Sequence, residues 1–295
     1  NDKYKKRGDI SITTLIDSPR VSLLKKNHKY EEDVSQNVWA LFGTAVHTVI
    51  ERANEDHHGV ENEVPLTMMI DGWEVTGTAD MYEEEIETLT DWKVTSVWKV
   101  IRGISDTDSW TKQTNCYAAM LREQGKKVSH IHVIAILKDW KARDAMYNPD
   151  YPAAPVVRIK IKVFSQEGMI KYMHDRVKLH KEQAHIFYFH SDDTGIATDG
   201  LAEDKIPICT PEERWRTPTT WKMKTAGKAR SLKNFPINSK EDEAAAIEYH
   251  AKASMQYPDL KIEKELGVDK RCSEFCPVNV HCSYWKIAKD YQGKG

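Results

Sequence analysis

The sequence predicts an α/β fold in which a central mixed sheet is flanked by helices. Apolar residues recur at helical spacing in three segments, near residues 36–56, 109–125 and 165–187. Five segments between these helices carry the alternating or continuous apolar patterns that are typical of strands. Because helices and strands follow one another along one chain, we expect the helices to pack around a shared sheet.

The composition is that of an ordinary globular chain. Its 295 residues are 40% hydrophobic and 30% charged, which is enough for a sizeable core. No apolar run approaches the roughly 18 residues that a membrane span needs, and no signal-peptide pattern opens the sequence. We therefore expect a cytoplasmic protein that folds as a single domain over residues 1–295. Its core should cover about 35–190, with N-terminal helices and a C-terminal region, 191–295, packed on that core.

The first predicted elements are helical. ISITTLIDSPRVSLLKK predicts a short helical region that is broken at Pro19. SQNVWALFGTAVHTVIERANED carries apolar residues at helical spacing. It predicts a partly buried helix over about 36–56 with Ser35 as its N-cap.

Three strands should follow, in VPLTMMI, WEVTGTADMY and IETLTDWKV. The dipeptide Asp71-Gly72 between the first two is a hairpin turn signal. A second helix, SWTKQTNCYAAMLREQG, should end at Gly125. Two more strands, VSHIHVIAIL and VVRIKIKVF, are separated by a proline-rich loop, and a third helix, SQEGMIKYMHDRVKLHKEQAHIF, completes the core.

The chain changes character beyond about residue 190. A basic segment between Arg214 and Lys233 contains no acidic residue, and a helix over about 240–256 follows it. The net charge of -2 does not suggest nucleic acid, but a carboxylate metal site would cancel a basic binding groove in that total. The basic segment is therefore either a solvated hairpin or a surface that binds nucleic acid.

Three charged residues lie on two of the predicted strands, where an unpaired charge would be costly. Asp91 and Lys93 are two residues apart and point to one face, and the hairpin should bring Asp80 beside Asp91. Two neighbouring carboxylates repel each other unless a divalent cation lies between them, and oxygen ligands suit Mg²⁺ or Mn²⁺. The alternative is a surface hairpin with an Asp–Lys ion pair of little energetic weight.

Two pairs of polar side chains on the predicted helices are candidates for the same site. His47 and Glu51 share one helix face at i,i+4 spacing, and a neutral imidazole is a good additional ligand for Mn²⁺. Gln113 and Tyr117 have the same spacing and present an amide and a phenol, which can orient water or hold a phosphate oxygen. The alternative for both pairs is ordinary packing of helices, with His47 and Tyr117 in the core.

Three of the five cysteines fall in one short segment, RCSEFCPVNVHCSYW. Disulfide frameworks are rare in cytoplasmic chains, so these cysteines indicate either a bound metal or buried thiols without a metal. Four thiolates can hold either a 4Fe–4S cluster or a tetrahedral zinc ion, and His281 offers zinc an alternative ligand. The fifth cysteine, Cys116, is interpreted as a core residue. The candidate ligands are Cys209, Cys272, Cys276 and Cys282.

Four motifs in order carry a resemblance to a known family. GTAVHTVIE, GTAD, DWK and QTNCY, at these separations, resemble the motifs of the RecB-like branch of the PD-(D/E)XK nuclease superfamily. The resemblance implies a restriction-endonuclease-like fold with a divalent metal site. The implied metal ligands are His47, Asp80, Asp91 and the backbone carbonyl of Trp92. The implied catalytic residues are Asp80, Asp91, Lys93, Gln113 and Tyr117, with Glu51 as a weaker candidate.

The C-terminal cysteines resemble those of RecB-like nucleases that bind an iron–sulfur cluster. That group includes CRISPR-associated adaptation nucleases and phage exonucleases, and CTPEERW with the basic segment and RCSEFCPVNVHC looks most like the phage-type proteins. The resemblance implies a cysteine-stapled C-terminal appendage with a 4Fe–4S cluster, and structural zinc is the alternative. The implied cluster ligands are Cys209, Cys272, Cys276 and Cys282.

These patterns predict a metal-dependent deoxyribonuclease that hydrolyses phosphodiester bonds with Mg²⁺ or Mn²⁺. Exonuclease action on single-stranded DNA or on duplex ends, in phage replication or recombination, is favoured over endonuclease action. The expected partners are DNA and recombination or replication proteins, and no membrane. The residues expected to contact phosphates are Lys222, Lys224, Lys228 and Arg230.

Three other functions stay open at this point. A nuclease that trims DNA ends for CRISPR integration would need a partner integrase. A DNA-binding module would keep a structural iron–sulfur cluster and cleave nothing. A redox sensor would change its activity when its cysteines are oxidised.

Overall fold

The computed structural model describes residues 8–31, 34–53, 58–105, 107–189 and 205–293. Within those residues, no helix is both long enough and apolar enough to cross a membrane. The chain divides into two units. The first comprises Asn1–Pro19 and Glu31–Ala184, and the second comprises Arg20–Tyr30 and His185–Gly295. That the two act as one domain stays a prediction.

A mixed six-stranded sheet forms the centre of the first unit. Its strands are β1 (Ile10–Ser11), β2 (Val60–Ile70), β3 (Trp73–Glu83), β4 (Thr88–Thr95), β5 (His130–Leu137) and β6 (Val156–Ile161). The helices that begin in this unit are α1 (Ile12–Leu15), α2 (Pro19–Asn27), α3 (Val34–Ala53), α4 (Val97–Ile101), α5 (Ser109–Glu123), α6 (Ala142–Tyr147) and α7 (Gln166–Phe189). The predicted class, a mixed sheet flanked by helices, is confirmed.

The strand order places β3 and β4 inside the sheet. β3 pairs antiparallel with β2 and β4, and the short β1 adds a parallel pair to β3. β4 pairs in parallel with β5, and β6 lies antiparallel to β5. Parallel neighbours require a long crossover, and here it carries α4 and α5.

The predicted turn between β2 and β3 is confirmed. Asp71 and Gly72 both have left-handed φ angles, 49° and 77°, and Ile70 pairs directly with Trp73. Two consecutive left-handed residues are what a tight two-residue hairpin needs. This turn sets the register of both strands along their whole length.

Helix α5 covers the sheet with an apolar face. Asp108 begins the helix by accepting a hydrogen bond from the Trp110 backbone N–H at 2.9 Å, and Gly125 takes a left-handed φ of 86° just after its end. Met120 and Leu121 on this helix are almost fully buried. They belong to one core cluster with sheet residues Leu66, Val75, Leu89 and Ile131.

Helix α3 differs from the prediction in two ways. It begins at Val34, so Ser35 lies inside the helix and the prediction of an N-cap there is wrong. Its last helical residue is Ala53, and residues 54–56 of the predicted helix lie outside the described residues. Several of its apolar side chains are exposed rather than buried, including Leu41 at 71% and Val49 at 67%. The helical period of a sequence predicts which apolar residues share one face of a helix, but it does not predict whether other residues cover that face.

The second unit contains a smaller antiparallel sheet in the order β8, β7, β9. Its further elements are β7 (Thr219–Lys224), β8 (Lys233–Ile237), α8 (Lys240–Ser254), β9 (Lys261–Glu265) and α9 (Ser283–Ala288). Trp221 and Met223 alternate along β7 and pack with Ala246 of α8 and Leu260. The basic hairpin and the helix near 240 are therefore present, while β9, α4 and α6 have no counterpart in the sequence-based prediction.

A buried carboxylate organises the end of the second unit. Asp269 is 0% exposed and accepts hydrogen bonds from Tyr284 Oη at 2.6 Å, Arg216 at 3.1 Å and Arg214 at 3.2 Å. Burial alone would raise the pKa of Asp269, but these three hydrogen bonds outweigh it and hold the pKa below its ordinary value. The single π-helical turn Arg271–Phe275, which carries Cys272, follows at once.

Candidate metal centre

The pairing of β3 with β4 ends just before the two predicted aspartates. Paired positions run from Glu83 and Thr88 to Met81 and Thr90, and the next residues are Asp80 and Asp91. Asp80 Oδ2 accepts a hydrogen bond from the Trp92 backbone N–H at 2.8 Å, which takes the place of a strand-to-strand bond. The two acidic side chains therefore lie where the hairpin ladder stops.

His47 reaches this point from helix α3. Its Nε2 lies 3.0 Å from the Trp92 carbonyl oxygen, and its Nδ1 lies 3.6 Å from Asp80 Oδ1. These contacts bring together an imidazole, a carboxylate and a backbone carbonyl from three separate elements. All three are among the predicted metal ligands.

Asp91 and Lys93 form an ion pair inside the unit. Asp91 is 0% exposed, and its Oδ2 lies 2.8 Å from Lys93 Nζ. Its Oδ1 is buried and has no hydrogen-bond partner among the described residues. Buried carboxylate oxygens are normally satisfied by a donor or a cation, so this oxygen fits a site that takes a metal ion.

The pKa values of Asp91 and Asp80 indicate that the nearby positive charges do not fully compensate for the burial of these carboxylates. Burial raises the pKa of Asp91 to about 6; Lys93 and His47 oppose the rise, and the charge of Asp80 adds to it. Burial also raises the pKa of Asp80, against the pull of His47 and Lys93. The charge of Asp80 thus disfavours the ionised form of Asp91, an effect that a divalent cation between the two carboxylates would reverse.

Sequence reasoning missed one acidic residue at this site. Glu63 on β2, together with His47 and Asp80, offers ligand atoms that all lie within 4.8 Å of one another. Among the described residues, this close group includes neither Asp91 nor Glu51. The signal was available, since the two-residue turn at Asp71 and Gly72 sets a register that brings Glu63 opposite Asp80.

The backbone at Glu63 is unusual for a strand. Its φ is 48°, in the left-handed region, while Asn62 and Val64 on either side pair regularly with β3. A left-handed non-glycine residue costs free energy and is held by its surroundings. The charge of Glu63 also raises the pKa of Asp80.

The predicted pair on α5 lies against β3. Gln113 Nε2 donates a hydrogen bond to Tyr117 Oη at 2.8 Å, and Tyr117 is only 4% exposed. A Cβ atom added to Gly77 would lie 2.6 Å from Tyr117 Cε1, so the ring occupies the space that a larger residue would fill. Burial raises the pKa of Tyr117, and the charges of Asp91 and Asp80 add to the rise. The phenol is thus close enough to sense both aspartates.

The four predicted cluster ligands line one cavity in the second unit. Its volume is about 20 Å³, and Arg20, Leu24, Tyr284 and Trp285 complete much of its wall. The cysteines that line it are Cys209, Cys272, Cys276 and Cys282. Residues some sixty positions apart in sequence therefore converge, although no three of these sulfurs lie within 4.8 Å of one another among the described residues.

Two thiols of this cavity, those of Cys272 and Cys276, hold their protons more tightly than usual when no cation is bound. Burial raises the pKa of Cys272 to about 12, and Asp269 and the other three cysteines add to the rise. Burial raises the pKa of Cys276 as well. His281, the alternative zinc ligand, has its Nε2 3.0 Å from the Lys29 carbonyl oxygen and stacks on His28 with ring centroids 4.3 Å apart. Of the described residues, the cavity wall does not include it.

The predicted phosphate-binding residues lie on and beside the hairpin of β7 and β8. Lys222 and Lys224 form cross-strand ion pairs with Glu265 and Glu263 on β9. Lys228 lies over the ring of Tyr257, 5.0 Å from its centroid. Together with Arg230, Lys228 is exposed. Half of the predicted set is therefore neutralised locally, by acidic residues on a strand that the sequence did not predict.

No protein-family profile and no curated protein matches the chain. Among solved structures, the chain is similar to a protein described as SSO0001, with a TM-score of 0.41 and 16% sequence identity. The match covers 60% of this chain and 79% of that one.

Proposed function

We propose that this chain is a divalent-metal-dependent DNA nuclease of the RecB-like PD-(D/E)XK type, with a restriction-endonuclease-like core and a cytoplasmic site of action. One observation carries the proposal. Asp91 is fully buried beside Lys93 with one oxygen unpartnered, next to the contact between His47 and Asp80. A purely structural ion pair would not leave that oxygen unsatisfied.

The proposed metal ligands are side chains and one backbone carbonyl of the site. His47, Glu63 and Asp80 would hold a Mg²⁺ or Mn²⁺ ion, with Asp91 and the Trp92 carbonyl as further oxygen ligands. When bound, such an ion lowers the pKa of a water molecule and offsets charge on a phosphoryl oxygen.

Lys93 supplies the positive charge that the chain itself contributes. Its side chain is 21% exposed and its Nζ is held 2.8 Å from Asp91 Oδ2, so it can contact a phosphate oxygen while its position stays fixed. A preorganised cation aimed at developing charge is an effective form of transition-state stabilisation. Gln113 and Tyr117, bonded to each other, would orient water or a phosphate oxygen.

For the second unit we propose a 4Fe–4S cluster rather than zinc, in a cysteine-stapled appendage. A zinc ion bound by thiolates at about 2.3 Å would bring the sulfurs to about 3.8 Å from one another. The four cysteines instead line a cavity with no three sulfurs within 4.8 Å, among the described residues. A four-iron cluster is larger than one ion and holds its thiolates farther apart.

The proposed substrate is single-stranded DNA or DNA with ends, in phage replication or recombination. Lys228 and Arg230 are the exposed basic residues best suited to phosphate contact, because Lys222 and Lys224 already have acidic partners. Such contacts follow the backbone and do not read sequence. Exonuclease action is the form of the reaction that we favour.

The test uses defined DNA substrates labelled at the 5′ or 3′ end, single- and double-stranded, with Mn²⁺. We expect chelator-sensitive cleavage that is lost in Lys93→Ala and kept in Lys160→Ala, which removes an exposed lysine from β6 of the same sheet. Shortening from labelled ends would support exonuclease action. Intact DNA in every arm, together with a DNA-dependent gel shift, would instead identify a binding module without cleavage.

A further inference from the structure

Arg20, at the start of helix α2, is a buried guanidinium in the wall of the cysteine cavity. It is 1% exposed and belongs, with Cys282, to the second unit. Arginine side chains are rarely buried so completely unless several partners hold them.

Three donors of the guanidinium point in different directions. Nε donates to Cys282 Sγ at 3.4 Å, one terminal nitrogen donates to the Ile206 carbonyl oxygen at 3.0 Å, and the other donates to Ser283 Oγ at 2.7 Å. The planar fork of arginine suits this use because one rigid group satisfies acceptors from separate segments. The two outer bonds fix the orientation of the group, and the third is directed at sulfur.

A donor at this sulfur has a specific effect if Cys282 is a cluster ligand. A hydrogen bond from a cation is stronger than a neutral one, and it draws electron density from the thiolate. Hydrogen bonds to ligand sulfurs and nearby charge are among the factors that set the reduction potential of an iron–sulfur cluster. Reduction adds one electron and one negative charge, so a fixed positive charge favours the reduced form.

We propose that Arg20 is a positioning residue that raises the reduction potential of the cluster by donating a hydrogen bond to the sulfur of Cys282. This inference rests on the iron–sulfur part of the proposed function and is independent of nuclease activity. In the reduction step the cluster gains one electron and no bond to the chain breaks. The electron comes from an electrode through a soluble mediator in the test below.

The test compares the unaltered chain with three variants after anaerobic reconstitution with iron and sulfide. Arg20→Met removes the charge and the hydrogen bonds, and Arg20→Lys keeps the charge but loses the fork. Lys286→Met is the matched control, because it removes an exposed cation from α9, the helix that begins with Ser283. Iron, labile sulfide and zinc are measured first, and midpoint potentials follow by spectroelectrochemical titration.

We expect the Arg20→Met midpoint to shift to a more negative potential. At a fixed potential the ratio of reduced to oxidised cluster should fall by about tenfold, equivalent to about 59 mV for a one-electron couple. Arg20→Lys should show a smaller shift in the same direction, and Lys286→Met should match the unaltered chain. If Arg20→Met fails to fold or to bind iron, the midpoint potential of Arg20→Lys serves as the test instead.

Two results would overturn the inference in distinguishable ways. Full iron with an unchanged midpoint in the Arg20 variants would remove the role of Arg20 and leave the cluster in place. Stoichiometric zinc without iron in the unaltered chain would overturn the cluster assignment itself, and this inference with it. Neither result would bear on cleavage at the site of Asp91.

Discussion

At the scale of single residues, Asp91 is a buried carboxylate with an oxygen that has no hydrogen-bond partner among the described residues. It is fully buried, has one cationic neighbour in Lys93, and lies near Asp80. Burial disfavours its charge, so without a metal ion the folded chain holds this carboxyl in its protonated form more readily than the unfolded chain does. The stability of the metal-free protein should therefore depend on this one proton.

The pH dependence follows from the raised pKa of Asp91. Its pKa is about 6 in the folded state against an ordinary 3.8, so its stabilising contribution is present below pH 4 and is lost as the pH rises through 6. Relative to Asp91→Asn, the unfolding free energy of the metal-free protein should fall by about 3 kcal/mol across that interval. Chemical denaturation at several pH values in chelator measures this. If the unfolding free energies of the two proteins changed with pH in the same way, the prediction would be wrong. Added Mn²⁺ should restore the lost unfolding free energy at neutral pH.

Glu63 gives the second residue-scale prediction. If it is a ligand together with His47 and Asp80, Glu63→Gln should weaken Mn²⁺ binding by about tenfold or more, since loss even of supporting groups around a metal costs that much. Titration calorimetry on the metal-free protein measures the affinity. Glu85→Gln is the control, because it removes a charge from the exposed turn between β3 and β4. Equal affinities in the two variants would exclude Glu63 from the site.

At the scale of secondary-structure elements, the packing of α5 against β3 depends on a missing side chain. Gly77 precedes the Thr-Ala-Asp run of β3 and lets the ring of Tyr117 approach the strand. The same contact positions the hydrogen bond from Gln113 to Tyr117. The glycine of GTAD is therefore explained by close approach and not by a special backbone angle.

Gly77→Ala should displace Tyr117, because the new Cβ would lie 2.6 Å from Cε1 of its ring. Overpacking of this kind costs about 1–3 kcal/mol of unfolding free energy, and cleavage should fall because the pair on α5 moves. Gly43→Ala is the matched control, since a Cβ at Gly43 in α3 would meet nothing within 4 Å. That variant should be neutral or stabilised by up to about 1 kcal/mol. Chemical denaturation and nuclease assays measure both variants. Equal unfolding free energies and equal cleavage rates in the two variants would contradict the packing argument.

At the scale of the whole chain, each of the two units has a hydrophobic core of its own. The core of the first joins α5 to the six-stranded sheet, while β7, α8 and the segment around Leu260 form a core in the second. The cysteine cavity has a separate small cluster that includes Val21, Leu24 and Val278. Because that cluster is small, a bound cofactor should contribute much of the local stability.

Cys276→Ala should therefore destabilise the second unit before the first. Hydrogen exchange should show lost protection around Arg271–Cys282 while β3 and β4 keep theirs, because binding free energy at a metal site is also folding free energy. Cys116→Ala is the control, since Cys116 is buried in α5 of the first unit and should leave the iron content unchanged. Simultaneous loss of protection in both units would contradict this division.

The limits of sequence reasoning are visible at particular residues. Local chemistry sufficed for the Asp71-Gly72 turn and for Gly125 after α5, because left-handed backbone angles select their residues directly. It failed for Ser35, where a good capping residue lies inside the helix. It also failed for Lys222 and Lys224, since their acidic partners lie on a strand with weak alternation, KIEKE.

By itself, the sequence determined the class of the fold, the hairpin register and most of the candidate site residues, because spacing and turn chemistry are local properties of the chain. Only the tertiary structure decided which of those residues meet. The contact of His47 with Trp92 and the hydrogen bond from Arg20 to Cys282 both join segments far apart in sequence. Such contacts form only where long-range packing outweighs the conformational entropy lost on ordering the chain, and no local sequence pattern predicts them.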